Sequence, residues 1–335
     1  MRNGLSLTST KLRRTVLPAL GLFFLAPLIG EFLLGNLPIT WLWTLVALAP
    51  LYGGGALVIR ELSRRLGIGW PGMILLCLAF GIVEEAFVTQ SLFNPDYLGL
   101  SLISHAYIPW LGIGVWWTIF VIGLHAIWST AVPIALVETL GGRPEEPWLG
   151  SVGFGIAVVV FLAGCAMTVM LQAPGFMAAP HQFLIAGLVI AMLLAAALIV
   201  DRAPSAAPVR DPETAPGPWR VALTSFFSGS AFVSLAYLRD VLPVWVSIAG
   251  MALALVACTF FLLRWSRRTG WDQRHRFAAA AGFVVTYIWF GTVQVPPVGD
   301  VPLWIDLGGN AVFSLGALVI LYFGARKSAE GQGTG

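Results

Sequence analysis

Glu84 and Glu85 stand side by side in GIVEEAFVTQSLFNP, a stretch that is apolar on its upstream side, and His125 lies 40 residues beyond Glu85 inside another apolar run. Carboxylates and imidazoles are the side chains that move protons near neutral pH. A carboxylate at the centre of a bilayer costs ~2.5–3.5 kcal/mol or more, so one retained there points to use. Two carboxyls close together resist being ionised together. A neutral acid beside a charged one is a general acid–base pair. The chemistry this suits is water activation, with Glu84 or Glu85 as general base. His125 would orient the water or steady an oxyanion, and Ser129, four residues further on, would assist. The competing reading is a buried structural network in which Ser129, Thr130, Gln90 or backbone carbonyls satisfy the glutamates.

Such residues need elements to hold them, and composition says what those are. The 335 residues are 58% hydrophobic and 10% charged, whereas a soluble domain carries about 25% charged residues. The solvent must be lipid, which implies a multi-pass protein of the cell membrane. A hydrocarbon core needs ~20 apolar residues per helical crossing. The chain offers stretches at 15–35, 39–60, 70–93, 110–139, 148–171, 182–200, 219–237, 242–263, 277–293 and 301–323. The fold class is therefore all-α, a polytopic integral membrane helical bundle of about ten transmembrane helices. With the N-terminus in the cytoplasm, every lysine and arginine except Arg239 falls on the inner side, so both termini are expected to be cytoplasmic. Trp41, Trp70, Trp110, Trp148, Trp219 and Trp304 lie near span edges and read as interface anchors.

Depth follows from helical rise. Glu84 lies 14 residues past Trp70 and His125 lies 15 past Trp110. At 1.5 Å per residue both fall roughly 21–22 Å from the ends of oppositely running helices, near mid-membrane. Adjacent helix positions point ~100° apart, so one glutamate is expected to face His125 and the other a different polar neighbour. Glu31 and Asp306 are expected near the outer interface, and Glu138 at a helix end facing cytoplasm. Pro50 and Gly53–Gly55 loosen the second span, either to line a cavity or to let a neighbouring helix pack closely.

The Pro- and Ala-rich segment 201–218 reads as a cytoplasmic linker between a six-span part, 1–200, that carries the Glu/His group and a four-span part, 219–335. Cys77, Cys165 and Cys258 sit in apolar runs without disulfide or metal spacing. No cofactor is expected. Glu and His could ligate a divalent metal, but their spacing matches no metal motif. The lipid bilayer is the expected partner, and the net charge of +3 needs no nucleic acid.

The Glu-Glu pair followed by an intramembrane His resembles the CPBP family, the CAAX-processing and bacteriocin-immunity (Abi) intramembrane proteases. Their motifs read EExxxR, FxxxH, then HxxxN or HxxxD. Here Glu84 and Glu85 open the first motif with Thr89 in the Arg position. His125 ends the second with Val121 in the Phe position, and His181 is followed by Ile185 where Asn or Asp belongs. His125 to Ser129 is the other candidate for the third motif. The resemblance spans at most residues 70–190 and implies a glutamate-dependent intramembrane protease acting on a hydrophobic or prenylated peptide. From the residues themselves, an intramembrane hydrolase comes first, with a proton-coupled transporter or permease and a non-enzymatic scaffold or immunity-type protein as alternatives.

Overall fold

The computed structural model describes residues 15–142, 144–171, 175–200, 211–298 and 301–330. Most of the expected linker, 201–210, and the basic residues before Thr15 lie outside the described residues. Ten helices follow one another: α1 Leu17–Leu33, α2 Ile39–Leu66, α3 Trp70–Val88, α4 Val115–Gly141, α5 Ser151–Leu171, α6 Pro180–Val200, α7 Pro218–Asp240, α8 Val244–Ser266, α9 Gln273–Phe290 and α10 Leu303–Ala329. Eight of them are long and apolar enough to cross a membrane. The other two of the ten expected crossings fall short of that measure: α1 is apolar but shorter, and α9 opens on the polar run 273–276. The chain is a polytopic integral membrane protein, mostly but not wholly helical. Two short ribbons pair the loops: β1 Tyr107–Ile108 runs antiparallel to β2 Ile113–Gly114, and β3 Asp211–Thr214 runs parallel to β4 Arg268–Thr269. Connecting backbone outside helices still has to satisfy its N–H and C=O groups, and these ribbons do so locally.

The most enclosed crossing is α4, 83% buried over its apolar window against 11% for α5 and for α6. It packs on α1, α3, α8, α9 and α10, while α5 and α6 present most of their surface outward. Outward apolar surface is what a lipid solvent allows. Around α4, Trp128 lies flat on Tyr287 with ring centroids 4.5 Å apart and donates its indole N–H to the Phe283 carbonyl at 2.8 Å. Trp116, Phe120 and Phe232 continue this core. A residue on α4 is thus held by neighbours on nearly every side.

The glycines of α2 answer the question its sequence raised. A Cβ on Gly53 would lie 1.8 Å from the Phe23 carbonyl oxygen, and one on Gly55 2.3 Å from the Phe80 ring. They are close-packing positions, and they let α2 press against α1 and α3.

The C-terminal ends of α2 and α4 are joined by a buried ion cluster. Arg64 forks onto Glu138 through Nε and Nη2, both at 2.9 Å, and Arg60 Nε donates to Glu138 Oε1 at 3.1 Å. Arg60 Nη1 also donates to Glu61 at 2.6 Å. Glu61 then accepts the backbone N–H groups of Trp148 and Leu149 just ahead of α5, at 2.9 and 3.1 Å. Glu138 is therefore 1% exposed, not a helix end facing water. Trp148 is not an interface anchor either: it is 2% exposed, with the Arg60 guanidinium 3.6 Å from its ring centroid. Arginines entering from the adjacent helix need these partners, and a cation stacked on an indole keeps its charge without water. Trp110, Trp219 and Trp304 do stay exposed as anchors should.

Candidate functional site

Four helices each change from α to π winding for about one turn, at Leu28–Leu33 in α1, Ala49–Gly53 in α2, Val83–Val88 in α3 and His125–Ala131 in α4. Each turn carries a polar side chain to one place: Glu31, Tyr52, Glu84 with Glu85, and His125 with Ser129. A π turn inserts extra backbone into a helix and re-aims the side chains it holds, which is why such turns collect at functional sites. Small residues bring the helices together there. A Cβ on Gly30 would meet Ser129 Oγ at 2.8 Å, and one on Gly81 would meet the His125 Cβ at 3.3 Å.

His125 is gripped at both ends of its ring. Nε2 lies 2.7 Å from Glu85 Oε1, and Nδ1 lies 3.1 Å from Glu84 Oε2 and 3.2 Å from Ser129 Oγ. Glu84, Glu85, His125 and Ser129 are 2, 5, 6 and 2% exposed. So all four candidate residues come together, and both glutamates face the same imidazole. That corrects the expectation of divergent partners. An imidazole offers two nitrogens on opposite edges, and the π turn at Val83–Val88 re-aims the two adjacent carboxylates so that each meets one.

The glutamates differ in their surroundings. Glu85 is saturated. Besides His125 it accepts the Thr89 hydroxyl at 2.9 Å and the Ser91 hydroxyl, and Ser91 in turn accepts the Trp117 indole N–H at 2.9 Å. Gln90, with φ +54°, turns the chain back at the end of α3 so that Ser91 reaches the carboxylate. Glu84 Oε2 is buried and accepts no hydrogen bond, although His125 Nδ1 is nearby. Gln90 and Thr130 do not satisfy the pair. Gln90 Oε1 accepts the Ala178 N–H at 2.8 Å, and Thr130 donates to the carbonyls of His125 and Ala126.

Residues 110–114 turn through β2, so α4 starts at Val115 and His125 lies ten residues in, roughly 15 Å along the helix. Glu84 is four residues from the end of α3, about 6 Å. The cluster lies under the 89–114 loop. Sequence reasoning placed Glu31 at the interface, yet its carboxylate accepts from the Tyr52 hydroxyl and from Asn36 Nδ2 at 3.2 Å, and the Tyr52 ring is 5.7 Å from that of His125. Tyr52, Ser91 and Trp117 escape the sequence reading, and Thr89 enters it only as a departure from a motif. Ser91 and Trp117 sit in ordinary loop and apolar contexts, and only the fold brings them to Glu85. Asp306, near the start of α10, is bonded by Asn310 Nδ2 at 3.3 Å. His181 is exposed at the start of α6, away from the cluster.

A family model described as "Uncharacterized membrane protein family" matches residues 20–300 of the chain. The chain belongs to that family. Membership overturns the resemblance to the CPBP proteases. Two adjacent glutamates and a histidine one helix later form a short pattern, and any pair of neighbouring helices that must bury carboxylates can arrive at it. The position where that pattern needs Arg holds Thr89, which bonds Glu85 directly. An uncharacterized protein of Archaeoglobus fulgidus is 31% identical over 96 residues, 29% of each chain, so the match spans less than a third of that relative. No solved structure matches the chain.

Proposed function

We propose that this protein is a membrane-embedded hydrolase that activates water at Glu84 and His125 to cleave an ester or amide of a membrane-partitioned substrate. One observation carries the reading: a buried carboxylate oxygen that accepts no hydrogen bond, Glu84 Oε2, lies 3.1 Å from an imidazole nitrogen whose ring is anchored from behind by Glu85. A carboxylate that orients an imidazole through its far nitrogen, leaving the near one for the reaction, is the arrangement general acid–base catalysis requires. Water at Glu84 Oε2 loses a proton to that oxygen as its own oxygen adds to the carbonyl carbon. His125 Nδ1–H and the Ser129 hydroxyl are the donors for the oxyanion. Collapse breaks the bond to the alcohol or amine, which takes the proton back from Glu84. Glu85, held by Ser91 and Thr89, positions the ring throughout. In this reading the termini face the cytoplasm.

The test is a panel of long-chain esters and hydrophobic peptide amides presented to the purified protein in liposomes. Turnover of at least one substrate is expected, and His125→Ala should lower it by roughly 10²–10⁴. No turnover of any member, or equal turnover by the variant, would refute the reading. A second reading, proton-coupled transport, draws on a different observation. A hydrogen-bonded series leads from Tyr52 through Glu31, Asn36 and Gln294 to the exposed Tyr237. Proton-driven flux that survives Glu84→Gln with Glu85→Gln would exclude it at this site.

A further inference from the structure

We infer that the same cluster binds a divalent cation of the zinc type, with His125 Nδ1 and Glu84 Oε2 as ligands, Ser129 Oγ beside them, and Glu85 as the outer carboxylate that orients the ring. The catalytic use of the ion rests on the hydrolase reading, in which a bound ion would take over the oxyanion from Nδ1–H and the activation of water from Glu84 Oε2; the binding does not rest on it.

Geometry leads the argument. Zinc holds nitrogen and oxygen ligands at about 2.0–2.2 Å, so neighbouring ligands in a tetrahedron lie roughly 3.3 Å apart. Nδ1 is 3.1 Å from Glu84 Oε2 and 3.2 Å from Ser129 Oγ. Nε2 and Glu85 Oε1, at 2.7 Å, are too close to be two ligands and are at hydrogen-bond distance. The Glu85–His125 pair thus matches the carboxylate–histidine arrangement in which a metal-bound imidazole gives its other N–H to an acid. The side chains of Glu84, Glu85 and His125 offer ligand atoms within 4.8 Å of one another, all buried.

The second argument is the unsatisfied oxygen. Buried acceptors are almost always hydrogen-bonded, and an exception in a native protein marks strain, a catalytic role, or a bound water or ion. Glu84 Oε2 is such an exception, and it points to the Nδ1 side of the ring. Charge agrees, since an imidazole that holds a metal through Nδ1 and gives its Nε2–H to Glu85 is neutral, and a divalent ion then stands against the two carboxylates beside it. The ring is also fixed in advance, with the aromatic faces of Tyr52 and Phe80 5.7 and 6.3 Å away. One imidazole and one carboxylate, with a hydroxyl at ligand spacing beside them, leave room for water on the ion, whose acidity a bound zinc ion raises toward neutral pH.

The test uses the full chain purified in detergent, stripped with a chelator and dialysed against micromolar zinc, with metal content read by mass spectrometry. About one zinc per chain is expected. Glu84→Gln and His125→Ala should lose it, and Glu85→Gln should bind roughly 10–100-fold more weakly. Zinc should raise the melting temperature of the native chain and leave that of Glu84→Gln unmoved, which needs no folded His125 variant. Cobalt in place of zinc should give the visible absorption of a four-coordinate site, lost in Glu84→Gln. No zinc or cobalt above the level of Glu84→Gln, or equal uptake by that variant, would overturn the inference. Hydrolysis by the stripped protein would overturn the catalytic use of the ion and leave the hydrolase standing. One bound zinc with no turnover of any substrate would do the reverse.

Discussion

In the hydrolase reading Glu84→Gln lowers hydrolysis by roughly 10²–10⁴ and lowers the melting temperature less than Glu85→Gln does. The contrast follows from the partners of each group. An amide in place of Glu84 keeps its shape and breaks no hydrogen bond at Oε2, but gives up the ion pair to His125 Nδ1 at 3.1 Å. It also removes the base. Glu85 accepts from His125, Ser91 and Thr89. An amide NH2 turned toward those donors leaves at least one of them unsatisfied, at about 1–3 kcal/mol, and the imidazole loses the partner that fixes its orientation. Turnover in liposomes, read beside thermal unfolding in detergent, checks both. If the two glutamates only cement the fold, both substitutions move stability and no substrate is turned over by any form of the protein.

Glu138→Ala destabilises the protein by about 3–5 kcal/mol, the cost of breaking a buried ion pair from one side. Arg64 loses both of its hydrogen bonds to that carboxylate and Arg60 loses one of its own. Glu61 cannot take over, because it is already engaged by Arg60 and by the backbone of Trp148 and Leu149. The cluster joins α2 to α4, and α4 carries His125, so the catalytic geometry should loosen with it. Chemical unfolding in detergent checks the stability. Glu138→Gln, which keeps the shape and one acceptor, should cost less. An unchanged midpoint in Glu138→Ala would mean that the arginines find other partners.

Much of this was legible in the sequence because lipid is a demanding solvent. Long apolar runs with few charges admit helices and little else, so the helices fell where hydropathy put them. The same demand made the few intramembrane polar residues conspicuous, and Glu84, Glu85, His125 and Ser129 do meet. What stayed hidden depended on local winding and on distant partners. A π turn leaves no mark in hydropathy, so the aim of Glu84 and Glu85 was misjudged. Residues 110–114 are as apolar as a span, yet they turn in a hairpin, so α4 starts only at Val115. Glu138 and Trp148 read as ordinary end residues because the arginines that bury them lie more than 70 positions upstream. Ser91 and Trp117 reach Glu85 only through the reversal at Gln90.

The central claim is that one imidazole is held between two carboxylates of unequal role. The most direct measurement is 15N NMR of histidine-labelled protein in lipid, with the His125 signals identified by their loss in His125→Ala. The account predicts that Glu85→Gln shifts Nε2 most, Glu84→Gln shifts Nδ1 most, and Nε2 carries a strongly hydrogen-bonded proton. His125 nitrogens indifferent to both substitutions would contradict it.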